Sequence, residues 1–298
     1  IVDCDWSSDV CSSDPPILTV LSRRHALALG LGVASSAWTG CTHAPEYRPQ
    51  RGQMGKDVMW LPTSERLTEK MLQLAEVGPQ DLLFDLGAGD GVIPIYAART
   101  RGLRAVGIEY NPKLAEHARR NVQGAGLQDR VRIVTGDIFV EDFSAATVVT
   151  LYLLPELNQQ LRPTLLQMKP GTRVVSNTFD MGDWEPDASH EEGRESALMW
   201  VIPASVAGTW ALQYPERRWN MSLELRQRYQ KVGGQLWIDG VAQSILGAQL
   251  RGAELRFVFI GPDEGTYSVQ ARINGTTLTA SVVSYGLSHD LHGQRVKG

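Results

Sequence analysis

The sequence predicts an α/β protein: an open, mostly parallel sheet wrapped by helices, followed by a small antiparallel β barrel or sandwich. Three features carry that expectation. Residues 82–91 read Leu-Leu-Phe-Asp-Leu-Gly-Ala-Gly-Asp-Gly, a buried strand, an abrupt glycine turn and the start of a helix. Strand-like and helical runs then alternate as far as residue 177, the order expected of parallel strands joined by crossover helices. From residue 198 the apolar period changes to two, the mark of antiparallel strands with one buried face.

At 298 residues the chain has room for one large domain or two ordinary ones. A net charge of −4 provides no basic field to draw in nucleic acid, so no nucleic-acid partner is expected. Cys4, Cys11 and Cys41 all precede the expected folded region, and the histidines show no ligand spacing. Neither a disulfide framework nor a metal site is therefore expected in the body of the protein.

Residues 1–57 read as a leader, an export signal and a linker. Residues 1–16 resemble translated sequencing-adapter sequence and carry no weight in the fold. Ser22-Arg23-Arg24, the apolar stretch to Ala37 and its small residues Ala34, Ser35 and Ser36 have the regions of a signal peptide of twin-arginine type. This predicts export, or membrane association through that segment, with a cytoplasmic location as the alternative. Thr39-Gly40-Cys41 is a partial lipobox, with Trp38 where Leu, Val or Ile belongs. Residues 43–56 are polar, with Pro45 and Pro49, and are expected to form a linker.

A first domain is expected over residues 58–213. Ser64 is placed to cap a helix over residues 65–76, whose Leu67, Met71, Leu72 and Ala75 share one face. Gly78-Pro79 ends it and leads into the central strand, residues 82–86. Gly87, Gly89 and Gly91 let the backbone turn sharply and approach a ligand closely. A helix follows from Val92, its free N–H groups facing whatever lies over the glycines. A second strand over residues 104–108 ends at Glu109, about 20 residues past the turn, where a carboxylate can accept from ribose hydroxyls. Asn111-Pro112 opens the next helix, and residues 131–135 form a third strand ending near Asp137 and Ile138. A fourth strand over residues 146–152 ends in Leu151-Tyr152-Leu153-Leu154-Pro155-Glu156, and a fifth over residues 172–176 ends in Asn177-Thr178-Phe179-Asp180. Ligands of open α/β sheets lie at such strand ends.

The glycine pattern separates two ligand classes. The dinucleotide fingerprint needs a third glycine where Val92 stands, and Asp85 lies two residues before the first glycine. Asp85-Leu86-Gly87-Ala88-Gly89-Asp90-Gly91 instead resembles motif I of class I S-adenosylmethionine (SAM) methyltransferases. Pro62-Thr63 before a helix, motif I, Gly107-Ile108-Glu109-Tyr110-Asn111-Pro112, and Trp184-Glu185-Pro186-Asp187 occur in that order. Over residues 58–212 the chain is similar to the ATP synthase c-subunit lysine N-methyltransferase family and its bacterial relatives. The resemblance implies a Rossmann-like sheet of seven strands and SAM as cofactor. It further implies that Thr63, Asp85, Gly87, Ala88, Gly89, Asp90, Gly91, Glu109, Asn111, Asp137, Ile138 and Leu151 bind SAM, with Thr63 near the methionine end, Asp137 on the adenine amino group and Ile138 against its ring. A protein substrate is implied, with lysine as the acceptor. Tyr152, Asn177 and Asp180 are candidate catalytic residues, and Glu156 is within reach. The Asn/Asp-Pro-Pro-Tyr/Phe motif that holds planar amide or base nitrogens is absent.

Residues 198–203 and 206–212 are expected to finish the first sheet as an antiparallel pair. Residues 214–298 are expected to form the β barrel or sandwich and a tail. Trp219, Met221, Leu223 and Leu225 alternate with polar residues, as do Leu255, Phe257 and Phe259, and Tyr267 through Val282 around a type I′ turn at Asn274-Gly275. Residues 241–249 could be helical, and the polar tail from Ser284 is expected to fray. Two other functions stay open: an exported, non-turning-over nucleoside-binding protein, motivated by the signal, and an NAD-dependent oxidoreductase, opposed by Asp85 and Val92.

Overall fold

A computed structural model of the chain describes residues 47–54 and 59–297. The export-like segment and the three cysteines lie outside the described residues. Helix α1 (Glu65–Leu74) begins as expected, with Ser64 Oγ accepting the Leu67 N–H at 3.2 Å. Then come β1 (Leu82–Leu86), α2 (Val92–Arg101), β2 (Arg104–Glu109), α3 (Pro112–Gly124), β3 (Val131–Thr135), β4 (Val148–Leu151), α4 (Pro155–Leu165) and β5 (Arg173–Asn177). Pro112 and Pro155 open their helices, where the missing N–H costs nothing. The sheet is closed by β6 (Ala188–Glu192) and β7 (Glu195–Val201), giving seven strands in the order β3-β2-β1-β4-β5-β7-β6. Only β6 and β7 are antiparallel to their neighbours.

Each face of this sheet is buried, which is why its central strands read as continuous apolar runs. On one face Leu67, Met71, Ile93, Ala97, Ala115 and Ala118 of α1, α2 and α3 pack with Leu83 and Val148. On the other, Leu161 and Leu165 of α4 pack with Phe84, Leu86, Val149, Val174 and Trp200.

The last antiparallel pair differs from expectation. Residues 208–213 form β8 (Gly208–Gln213), which pairs with β9 rather than β7. It belongs to a second sheet, completed by β9 (Met221–Arg228), β10 (Lys231–Ile238), β11 (Val241–Ser244), β12 (Leu246–Arg251), β13 (Glu254–Ile260), β14 (Thr266–Asn274), β15 (Thr277–Ser284) and β16 (Leu287–Lys297). Pro203 interrupts the ladder between the two sheets, since it has no N–H to give. The second sheet has nine strands in the order β11-β10-β9-β8-β16-β15-β14-β13-β12, with β10 approaching β12 and β11 approaching β13, so it curls almost into a barrel. Trp210, Leu223, Ile238, Phe257, Tyr267 and Val282 fill its interior.

Three further expectations are corrected here. Residues 241–249 are strands β11 and β12, not helix. The polar tail is not frayed: β16 lies between β8 and β15 and pairs with both. Its alternation is masked by Gly293 and His289, which stand at inward or edge positions where a large apolar residue would signal a strand; at Gly293 a Cβ would lie 2.8 Å from Leu212 and 3.1 Å from Leu278. The β14–β15 turn is Gly275-Thr276, with Asn274 still paired to Thr277. Only Gly275 has positive φ, at 60°, so the turn lacks the two left-handed residues of type I′.

The Trp184-Glu185-Pro186-Asp187 segment seats the second sheet on the first. Trp184 is fully buried, stacks on Tyr229 at 5.7 Å, and donates from Nε1 to Gln230 Oε1 at 2.9 Å. Asp183 binds Arg162 and Arg228 and accepts from the Tyr229 hydroxyl, while Lys231 pairs with Glu185. The Arg228 and Tyr229 donors hold the Asp183 carboxyl down at about 2.

Candidate functional site

Strand order reverses on either side of β1, and the pocket lies there, outside the carboxyl ends of β1, β2, β3 and β4. It holds about 950 Å³ of free space, its open mouth included. The glycine turn supplies Gly87, Ala88, Gly89 and Asp90; the end of β2 supplies Glu109, Tyr110 and Asn111; the segment after β3 supplies Asp137, Ile138 and Phe139; Tyr152 and Leu153 follow β4. Another wall comes from residues before α1: Gln53, Met59, Trp60, Leu61, Pro62 and Thr63.

The turn is fastened to β2. Gly87 and Ala88 both donate their N–H to the Ile108 carbonyl at 2.9 Å. Gly107 makes this approach possible: a Cβ there would lie 2.7 Å from Ala88 Cβ and 2.9 Å from Ile133. Gly89 has φ +56° and donates its N–H to Glu109 Oε2 at 2.9 Å. The Trp60 ring lies directly on it, so that a Cβ at Gly89 would meet Nε1 at 2.5 Å. The other Glu109 oxygen, Oε1, accepts the Asn111 N–H at 2.8 Å. Backbone donors thus fix the Glu109 carboxylate from both sides, and each oxygen keeps a lone pair for a ligand in the pocket. Asn111 also caps α3, accepting from Lys113 and Leu114. Asp137 Oδ1 accepts the Phe139 N–H at 3.0 Å, closing the turn that presents Ile138.

Asp85 is 2% exposed and accepts from the Thr150 hydroxyl at 2.7 Å. Burial pushes its carboxyl up to about 7; the Thr150 bond opposes this, and the nearby Asp90 and Glu109 charges add to it. Burial also raises Asp90 and Glu109. Among the described residues lining the pocket there is no Lys or Arg. Three carboxyls held together in low dielectric are each easier to ionise once a cation enters. The arrangement is built for a positively charged ligand.

Of the residues singled out from sequence, Thr63, Asp85, Gly87, Ala88, Gly89, Asp90, Glu109, Asn111, Asp137, Ile138 and Tyr152 line this one pocket. Gly91 and Leu151 do not. Gly91 is buried as the cap of α2, its N–H bonded to the Ala88 carbonyl. Leu151 is fully buried in the core beside α4, and Leu153, two residues on, reaches the pocket instead. Asn177 is fully buried and lies behind the pocket wall, where Nδ2 donates to Thr63 Oγ1 at 3.2 Å. Asp180 is exposed and closes its own turn by accepting the Gly182 N–H at 2.9 Å. Glu156 is exposed in the first turn of α4. Tyr152 stacks on Phe179 at 6.1 Å, and burial, then the Glu195 charge, pushes its phenol up, so it holds its proton at neutral pH.

Sequence reasoning missed Trp60, Tyr110 and Phe139. Residues 47–54, expected to be linker, instead pack over the site: Gln53 Nε2 donates to the Tyr47 hydroxyl at 2.5 Å, and the Gly52 N–H to the Trp60 carbonyl at 2.9 Å. The apolar cluster Met59-Trp60-Leu61 next to Pro62-Thr63 is the available signal.

Residues 85–188 match a family model described as ANTKMT methyltransferase domain. A protein-lysine N-methyltransferase from Saccharolobus islandicus is 43% identical over 131 residues, which cover 43% of this chain and 81% of that protein. The mouse adenine nucleotide translocase lysine N-methyltransferase is 33% identical over 60% of this chain and 77% of its own length. The mouse ATP synthase c-subunit lysine N-methyltransferase is 31% identical, over 49% of this chain and 58% of its own. Among solved structures, a Salinibacter ruber protein described as an RNA methyltransferase in complex with S-adenosylhomocysteine is 50% identical over 49% of this chain and 96% of that one, with a TM-score of 0.48.

Proposed function

This chain belongs to the SAM-dependent methyltransferase family that includes the protein-lysine N-methyltransferases, and from that premise we propose that it methylates the ε-amine of a lysine on a protein. The single observation that carries this reading is the pocket itself: buried carboxyls under a glycine turn, with no cationic side chain among the described lining residues.

The residues present fit SAM. Gly89 leaves room for the Trp60 ring beside the pocket, Glu109 has lone pairs free for ribose hydroxyls, Asp137 and Ile138 suit the adenine edge and face, and Asp85 suits the ammonium. When bound, SAM supplies an electrophilic methyl group for in-line displacement. An acceptor amine would first have to lose its proton to solvent at the pocket's open mouth; its lone pair could then take that methyl, leaving the S–C electron pair on sulfur. The protein's part is to orient and to desolvate. Tyr152 keeps its proton and serves as wall and donor rather than base. Met59, Tyr110 and Phe139 line the pocket while remaining partly exposed, and such an apolar surface around an acceptor amine would exclude water.

Radiolabelled methyl transfer into a lysate of the source organism, split into protein and RNA fractions, tests the reading. Label is expected in protein, as methyl-lysine after acid hydrolysis, and lost in Asp85→Ala and Glu109→Ala. Label confined to RNA would refute the acceptor; no label and no S-adenosylhomocysteine binding would refute the whole assignment. The twin-arginine-like Ser22-Arg23-Arg24 segment supports the further proposal that the protein is exported, and fractionation of cells making the natural protein checks it.

A further inference from the structure

The loop after β5 and the start of β7 stand beside Tyr152, at the carboxyl ends of the parallel strands. β7 runs antiparallel to β5 with Ala197 opposite Asn177, so its first residues, Glu195 and Ser196, lie at the end of the sheet where the pocket opens. The Thr178 N–H donates to the Ser196 carbonyl at 2.7 Å, and the Thr178 hydroxyl to Asn177 Oδ1 at 2.8 Å. These bonds hold Thr178 at φ 64°, a left-handed conformation that a β-branched residue resists. The next residue, Phe179, is half-buried and stacks on Tyr152, the ring centroids 6.1 Å apart and the planes 24° from parallel. Asn158 of α4 is fully buried and fixes the loop, its Nδ2 donating to the carbonyls of Phe179 and Asp180 at 3.1 Å each. Glu195 is half-buried as well, and among the described residues its carboxylate has no ion-pair partner. Its charge is felt at the Tyr152 phenol, where Arg51, from the segment before α1, acts in the opposite sense.

Phe179 and Glu195 are not part of the pocket lining, but both neighbour Tyr152, which is. A pair of aromatic rings beside an unpaired carboxylate suits an alkyl chain that ends in a cation. The rings receive methylenes and positive charge, and the carboxylate draws that charge from water. The same carboxylate repels a phosphate backbone. We propose that Tyr152, Phe179 and Glu195 form the approach along which the acceptor side chain reaches the pocket, that Glu195 selects a cationic one, and that Asn158 is the positioning residue that holds Phe179 against Tyr152. The assignment rests on the lysine reading above. Glu195 acts on arrival: it attracts the ammonium form, and a carboxylate nearby makes an ammonium harder to deprotonate. Its contribution therefore falls on capture of the acceptor and not on methyl transfer.

Initial rates of radiolabelled methyl transfer into the protein fraction of a source-organism lysate, measured against lysate concentration, test the approach. Glu195→Gln is expected to raise the apparent KM about two- to five-fold, the range of a partly exposed ion pair, with the maximal rate within about two-fold. Salt at about 0.5 M should erase that difference by screening the pair. Arg51→Gln should lower the apparent KM. Phe179→Leu should raise it at low and high salt alike, Phe179→Tyr should restore it, and Asn158→Ala should act as Phe179→Leu does. S-adenosylhomocysteine affinity by calorimetry should stay within about two-fold of wild type in each variant, which shows that the fold and the cofactor site are intact. An unaltered KM in Glu195→Gln, a loss confined to the maximal rate, or a difference that persists at high salt would overturn the approach. Wild-type protein that labels RNA and no protein would instead refute the lysine reading, and the two failures are told apart before any variant is made.

Discussion

Asp85→Asn should raise stability and abolish tight cofactor binding at once, with a pH signature that no packing effect would reproduce. In the folded protein burial lifts the Asp85 carboxyl from 3.8 to about 7. A raised folded pKa means the native state holds a proton that the unfolded chain has released. Stability contributed by that proton is complete below pH 3.8, declines as pH rises, and is gone above about 7. The full cost of ionising Asp85 is about three pKa units, on the order of 4 kcal/mol. Asn has the same shape, can still accept from Thr150, and never ionises. Its amide N–H₂ without an acceptor costs roughly 1–3 kcal/mol at every pH, so the absolute difference between the proteins is smaller than the full cost. The change in that difference is cleaner. Between pH 5 and pH 8 the variant should gain about 3 kcal/mol on the wild type, or roughly 5–10 °C in Tm for a protein of this size. Urea unfolding at both pH values measures it, and calorimetry with S-adenosylhomocysteine should show binding at least about ten-fold weaker, from loss of a charged partner for the ammonium. A stability difference that stays constant from pH 5 to pH 8, or wild-type affinity in the variant, would refute the assignment of Asp85 as a strained, ligand-directed carboxyl.

Gly89→Ala should cost roughly 1–2 kcal/mol from left-handed backbone alone and push Trp60 off the turn, weakening S-adenosylhomocysteine. Unaltered affinity by calorimetry would show that the ring contact is incidental. Trp184→Ala should cost about 3–5 kcal/mol in urea unfolding, since a fully buried ring stacked on Tyr229 is removed, whereas Lys231→Ala should cost under about 1 kcal/mol. Comparable effects from the two changes would mean that the second sheet is not seated through Trp184. Tyr152→Phe should leave the shape of the kcat pH profile unaltered between pH 6 and pH 9, because a phenol pushed upward by burial does not titrate there; a displaced limb would make Tyr152 a proton carrier after all.

The pocket is legible in the sequence where chemistry is tied to strand ends. Motif I, Glu109 and Asp137 follow three successive parallel strands, and parallel strands all end on one side of their sheet, so sequence spacing alone brings them together. Leu151 and Leu153 show the limit: both are buried in the core beside α4, but only Leu153, past the end of β4, also lines the pocket. Asn177 looks like a pocket residue from its strand position but lies one layer behind it, touching Thr63 across 114 positions of sequence.

By itself, then, the sequence determined the parallel sheet, its glycine turn, the ligand class and most of the residues that line the pocket, since each depends on local period and on spacing between adjacent strands. The tertiary structure decided the rest. It moved residues 208–213 into the second sheet, made the polar tail a central strand and laid the described residues between 47 and 63 across the pocket. Those outcomes depend on partners far away in sequence. A strand such as Leu287–Lys297, with few apolar residues of its own, is fixed by the two strands that flank it, and Trp60 acquires its place only because Gly89 leaves room for the ring.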